Sequence, residues 1–101
     1  MPSHETQRTV CEWAETTFGP VTHPSVLLDR AMIEMGELRD AVKDGDTKEA
    51  GKETADVVIL LYRLMETLDL DLQSEVTSKM AENRSRKWRA KGDGTGSHIP
   101  K

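Results

Sequence analysis

The stretch IEMGELRDAVKDGDTKEAGKETADVV, residues 33–58, carries two acidic pairs on either side of a turn signal. Glu34 and Glu37 stand three residues apart, as do Glu53 and Asp56. On a helix that spacing points both carboxylates of a pair from one face. Gly45 lies midway, eight residues after Glu37 and eight before Glu53. Glycine accepts the left-handed turn that ends a helix. Asp46 and Glu49 then have capping-box spacing, with Asp in place of Ser or Thr. Helices joined by so short a turn pack antiparallel. The hairpin therefore brings all four acids to a similar height.

The rest of the chain extends this pattern into an all-α fold, a four-helix bundle. The helix before the turn starts near Pro24, since proline suits a first helical turn. Leu28, Ala31, Met35, Leu38 and Val42 give it an apolar stripe. The helix after the turn runs from about Thr47 to Thr67. Its middle, Val57 to Leu61, is apolar all round and predicts a buried central helix. An earlier helix is expected from about His4 to Thr17, with Ser3 as N-cap, stopped by Phe18-Gly19-Pro20. A fourth is expected from about Leu72 to Arg89, capped by Asp71, with Leu72, Val76 and Met80 on one face. No strand is expected. Residues 1–91 read as one domain. From Gly92 the chain reads GDGTGSHIPK, which predicts a flexible tail over 92–101. Met32, Met35, Met65 and Met80 read as gap-filling core.

A chain of 101 residues, 36% hydrophobic and 32% charged, suits one small domain of amphipathic helices. The net charge of −4 argues against nucleic acid as a partner. Carboxylates concentrate in residues 29–56. Lys79, Arg84, Arg86, Lys87, Arg89 and Lys91 make the end basic. Cys11 is the single cysteine, so no intrachain disulfide forms, which fits a reducing cytoplasm. The start has no apolar signal-peptide core. The longest apolar run, Val57 to Tyr62, falls far short of the roughly 20 residues of a membrane span. A soluble, cytoplasmic protein is expected.

Four carboxylates crowded on a packed surface repel one another and lose hydration, so they take up protons or bind cations. An all-oxygen cluster prefers Mg²⁺ or Mn²⁺. None of His4, His23 and His98 stands three residues after one of these acids, so the Glu-x-x-His pattern of di-iron bundles is missing. One E-x-x-E on a charged helix usually marks a solvated face. Asp56 is harder to read that way, because five apolar residues follow it directly. Lys52, four residues before Asp56, could pair with it as a plain salt bridge.

The ordered set E-x-x-E, about fifteen residues, then E-x-x-D resembles the MazG-like all-α NTP pyrophosphatase superfamily. Lys79, Asn83 and Arg86 resemble that family's K-x-x-x-N-x-x-R stretch. Trp13 followed by Thr17-Phe18-Gly19-Pro20 is similar to the W…TFGP segment of a branch containing MazZ-type dATP/dGTP pyrophosphohydrolases of phages and bacteria. Some relatives carry an aromatic residue directly after the arginine, where this chain has Lys87 and then Trp88. The resemblance implies a metal-dependent cleavage of a (d)NTP, such as dGTP or dATP, to a monophosphate and pyrophosphate. It implies that Glu34, Glu37, Glu53 and Asp56 hold two or more Mg²⁺ or Mn²⁺ ions and that one of them, such as Glu37, takes the water's proton. Lys79, Asn83 and Arg86 would meet the phosphates. Trp13 and Phe18 would either wall a purine or anchor a thin core. The apolar third helix in so small a chain, together with family habit, implies a homodimer or homotetramer. The competing reading is a non-enzymatic helical bundle that acts only through association.

Overall fold

The computed structural model describes residues 4–100. Four helices follow in order: α1 (Gln7–Phe18), α2 (Pro24–Lys43), α3 (Thr47–Thr67) and α4 (Leu72–Ser85). Two short strands close the chain, β1 (Trp88–Ala90) and β2 (Gly96–His98). The caps explain most boundaries. Asp46 accepts the Glu49 N–H at 3.0 Å to start α3, and Asp71 accepts the Ser74 N–H at 2.9 Å to start α4. Gly45, at φ 71°, supplies the turn between α2 and α3. Gly19, at φ 85°, ends α1, its N–H bonding the Glu15 carbonyl at 2.9 Å. α1 starts later than the sequence suggested. Thr6 caps it in a reciprocal box with Thr9, and Ser3 lies outside the described residues.

α2 and α3 form the antiparallel hairpin, and α1 packs across α3. The core between them is thin. It consists of Cys11, Ala14, Leu27, Ala31, Ala41 and Val57, mostly small side chains that let the helices approach closely. The apolar stripe expected on α2 is rotated by about one position. Ala31 is buried and Leu38 half-buried, but Leu28, Met35 and Val42 are exposed. Of the methionines expected in the core, Met32 is 74% exposed, Met35 and Met80 are also exposed, and Met65 is half-buried. The seam is filled by alanines, which leave no gap for a long flexible side chain. α3 is not wholly buried either. Residues 58–65 are half-buried, because only α1 and α2 cover them.

α4 buries no residue and touches α3 only lightly. It also ends earlier than the expected Arg89. The Asn83 carbonyl accepts the Arg86 N–H at 3.2 Å and the Trp88 indole N–H at 2.8 Å, so the chain leaves the helix there. Trp88 then pairs with His98, Arg89 with Ser97 and Ala90 with Gly96 in an antiparallel ladder. A Cβ on Gly96 would sit 2.6 Å from the Arg89 carbonyl oxygen, so only glycine fits that pairing. Thr95 donates both its N–H and its hydroxyl to Asp93, which holds that carboxyl below its usual range and shapes the turn. The segment read as a tail thus contains the second strand.

Gln7 ties the two ends of the helical unit together. Its buried amide donates to Glu66 Oε1 and to the Leu70 carbonyl, each at 2.8 Å. Its oxygen accepts the Leu72 N–H, the first of α4, at 2.8 Å. Gln7→Ala removes all three bonds and strands the Leu72 donor. The expected loss is about 2 kcal/mol, read as a lower urea midpoint. An unchanged midpoint would show that the clamp contributes nothing.

Candidate metal centre

The inner face of α2 runs Leu27, Ala31, Glu34, Leu38, Ala41, at alternating spacings of four and three. Glu34 therefore stands in the seam against α3, with only 13% of its side chain exposed. On α3 the residues that meet this seam are Glu53 and Val57, four apart and both buried. Glu37 lies three residues beyond Glu34, at the exposed rim. Carboxylate oxygens of Glu34, Glu37 and Glu53 all approach within 4.8 Å of one another.

Three carboxylates at that distance cannot all stay ionised without compensation. Glu53 is only 9% exposed, and its Oε2 is buried with no hydrogen-bond partner. Its carboxyl is pushed up from 4.5 to about 8, foremost by the neighbouring Glu34 carboxyl, then by burial, then by Glu37 and Glu49. Arg30 reaches Glu34 at 3.2 Å and offsets part of the charge from the solvent side. A groove of about 340 Å³ continues from the cluster toward the turn, lined by Glu37, Asp40, Ala41, Asp44, Asp46, Glu49 and Glu53. Every donor here is oxygen, which suits a hard divalent ion. The unpartnered buried oxygen of Glu53 and the raised proton affinity both fit a site built for a cation.

Asp56 stands apart from the other three. It is exposed and is not among the oxygens that meet within 4.8 Å. Its position before the apolar run did not bury it, because Val57 faces the seam and Asp56 is turned about 100° away around the helix. Among the described residues it makes no ion pair with Lys52.

Lys79 of α4 and Arg86 just after it gather on Glu82. Lys79 reaches it at 3.4 Å, and Arg86 forms a close ion pair with it. Arg86 is the residue just past the helix, with extended backbone, so of the three only Lys79 and Asn83 lie on α4 and share a face of it. Asn83 is half-buried, and its Oδ1 is shielded without a partner. Among the described residues no ion pair joins these side chains to the acidic cluster.

Trp13 and Phe18 are 58% and 66% exposed, so neither anchors the core. Their rings meet edge to face, with centroids 5.4 Å apart, and the Arg63 guanidinium lies 5.7 Å over Phe18. Arg63 also lines a cavity of about 330 Å³, together with Cys11, Glu15, Gly19, Pro20, Val21, Glu66 and Thr67. Burial first, then Glu66, raises the Cys11 thiol pKa.

Arg30, four residues before Glu34, went unread in the sequence, and Glu49, read there only as a capping residue, stands four before Glu53 and acts on its carboxyl. Helical spacing carried that signal, since i, i+4 neighbours meet on one face.

No family model matches the chain. It is 30% identical over 95 residues to a dATP/dGTP diphosphohydrolase of Salmonella phage PMBT28, which covers 94% of this chain but only 31% of that longer protein. It is 30% identical over 96 residues to a dATP/dGTP diphosphohydrolase of Cyanophage S-2L, covering 95% of this chain and 87% of the relative. Its fold is similar to that of the Cyanophage S-2L MazG-like pyrophosphohydrolase bound to dGDP and three catalytic Mn²⁺ ions per active site. That match has a TM-score of 0.78 and 29% sequence identity, and it covers 94% of this chain and 90% of the other. The chain belongs to the family of the phage dATP/dGTP diphosphohydrolases, within the MazG-like pyrophosphohydrolases.

Proposed function

We propose that this chain is a metal-dependent pyrophosphohydrolase that cleaves a purine deoxynucleoside triphosphate, such as dGTP or dATP, to the monophosphate and pyrophosphate. The observation that carries this is the meeting of Glu34, Glu37 and Glu53 within 4.8 Å around a buried, unpartnered carboxylate oxygen. A passive interaction bundle has no use for such a cluster, which weakens the folded chain whenever it is ionised and empty. The relatives named above support the substrate class.

Glu34, Glu37 and Glu53 would hold Mg²⁺ or Mn²⁺, with Asp56 one turn further along α3 as the remaining ligand. Bound ions neutralise charge on the phosphates and acidify the attacking water. One of these carboxylates, such as Glu37 at the exposed rim, would accept that water's proton. Arg30 holds Glu34 from outside and steadies its orientation. Lys79, Asn83 and Arg86 bind the phosphates, the guanidinium in two-point fashion. The exposed Trp13–Phe18 pair offers an aromatic wall to a purine. The unpaired Cys11 suits work in a reducing cytoplasm. No described helix is long and apolar enough to cross a membrane.

The protein works as a homodimer or homotetramer. Leu28, Met32, Met35 and Val42 leave an apolar face on α2, and Val76 and Met80 leave another on α4. Among the described residues no large side chain is fully buried. Association would cover these faces and complete the half-buried α3.

The assay is release of pyrophosphate from each (d)NTP with Mg²⁺. Purine deoxynucleotides are expected to be turned over, and Glu53→Gln to lower the rate by about a hundredfold or more, the upper end of what losing a residue behind a metal ligand costs. Release of single phosphate, or turnover unchanged in Glu53→Gln, would contradict the reading. Light scattering should give two or four times the single-chain mass. A strict monomer would contradict the assembly.

A further inference from the structure

Arg63 has no role in the metal centre. The cavity of about 330 Å³ that it lines shares no residue with the acidic groove. Arg63 is half-buried and, among the described residues, makes no ion pair, although Glu15 and Glu66 line the same cavity. Its guanidinium lies 5.7 Å over the Phe18 ring. That contact restrains the fork but gives its N–H donors no acceptor. Glu66 is held in turn by Gln7, which donates to its Oε1 at 2.8 Å. The cavity thus carries a restrained donor fork and two carboxylates. Its volume is at the small end of ligand sites, roughly 300–1,000 Å³, which suits one heterocyclic base and not a whole nucleotide.

Its place on α3 fits that reading. Arg63 stands seven residues after Asp56, so the two share a face and lie about 10.5 Å apart along the axis. The half-buried Ile59 and Leu60 fall between them. α1 ends at Phe18, against Arg63, and Asp56 is left exposed. The run from Asp56 to Arg63 matches the reach of a nucleotide from its α-phosphate to the far edge of its base.

We infer that Arg63 selects the purine by donating to O6 and N7 of guanine, which favours dGTP over dATP. The inference rests on the proposed function, since it takes Asp56 as the metal-side end of the substrate. The aromatic pair stacks either purine alike, and Arg63 tells them apart. Guanine presents two acceptors on that edge, which the fork matches. Adenine puts its N6 amino donor where guanine has O6. Glu15 and Glu66 offer acceptors to the guanine N1–H and 2-amino group, donors that adenine lacks.

The test is calorimetric titration of dGMP, dAMP and 7-deaza-dGMP into the full chain with Mg²⁺. Monophosphates read base choice whether or not the chain hydrolyses triphosphates. The parent chain should bind dGMP about tenfold more tightly than dAMP, the worth of one bidentate pair. 7-Deaza-dGMP, which lacks the N7 acceptor, should bind more weakly than dGMP. Arg63→Gln should reverse the preference, because a glutamine amide matches N6 and N7 of adenine. The 7-deaza comparison needs no variant, so it stands even if Arg63→Gln loosens α1. Equal affinity of the parent chain for all three nucleotides overturns the inference, as does no binding of any, or a dGMP preference that survives in Arg63→Gln. Pyrophosphate released equally from dGTP and dATP would leave the hydrolase standing and remove the selection. A dGMP preference that Arg63→Gln reverses, in a chain that releases no pyrophosphate, would do the opposite.

Discussion

Mutual repulsion among three carboxylates at the α2–α3 seam is the constraint around which the molecule is organised. Glu34 and Glu53 are placed there by the same alternation that packs Leu27, Ala31, Ala41 and Val57, so the acids cannot turn outward without undoing the hairpin. Ala31 and Ala41 on α2 let α3 come close, and closeness brings the carboxylates within 4.8 Å. Without a cation, the cluster settles by keeping a proton on Glu53. The proton and the divalent ion are thus competing solutions to one electrostatic problem. A fold with a thin core tolerates this only because it also supplies a means of relief.

The same economy explains the exposed faces. A seam lined with alanine gives precise helix spacing but little apolar burial, and the larger apolar side chains of α2 and α4 end outside it. α1 is attached to the far end through Gln7 rather than through a large hydrophobic contact. Site geometry is therefore set by one well-defined hairpin, while the remaining elements are held by hydrogen bonds and leave apolar side chains exposed.

The hairpin was the most legible part of the sequence. Pro24, Gly45, Asp46 and Asp71 act through neighbours within four residues, so their roles follow from local chemistry. The meeting of Glu34, Glu37 and Glu53 followed from helical spacing and a short turn. The exposure of Asp56 did not, because burial at that position depends on how α3 is rotated against α2, and the adjoining Val57 takes the seam. The rotated stripe on α2 has the same origin: side-chain size at Ala31 and Ala41 decides the packing face, and the hydrophobic pattern permitted two neighbouring faces. Non-local bonds were out of reach. Gln7 finds partners 59, 63 and 65 residues away. α4 ends where it does because Trp88 caps Asn83 and pairs with His98, a strand partner that local periodicity cannot show.

If the seam is a cation site held ready by a protonated acid, cation binding must expel that proton. Calorimetry of Mg²⁺ or Mn²⁺ binding at pH 7, repeated in two buffers of different ionisation enthalpy, counts protons released. With the Glu53 carboxyl at about 8, close to one proton should leave at pH 7 and close to none at pH 9. Binding at pH 7 with no proton released, or no binding at either pH, would contradict the account.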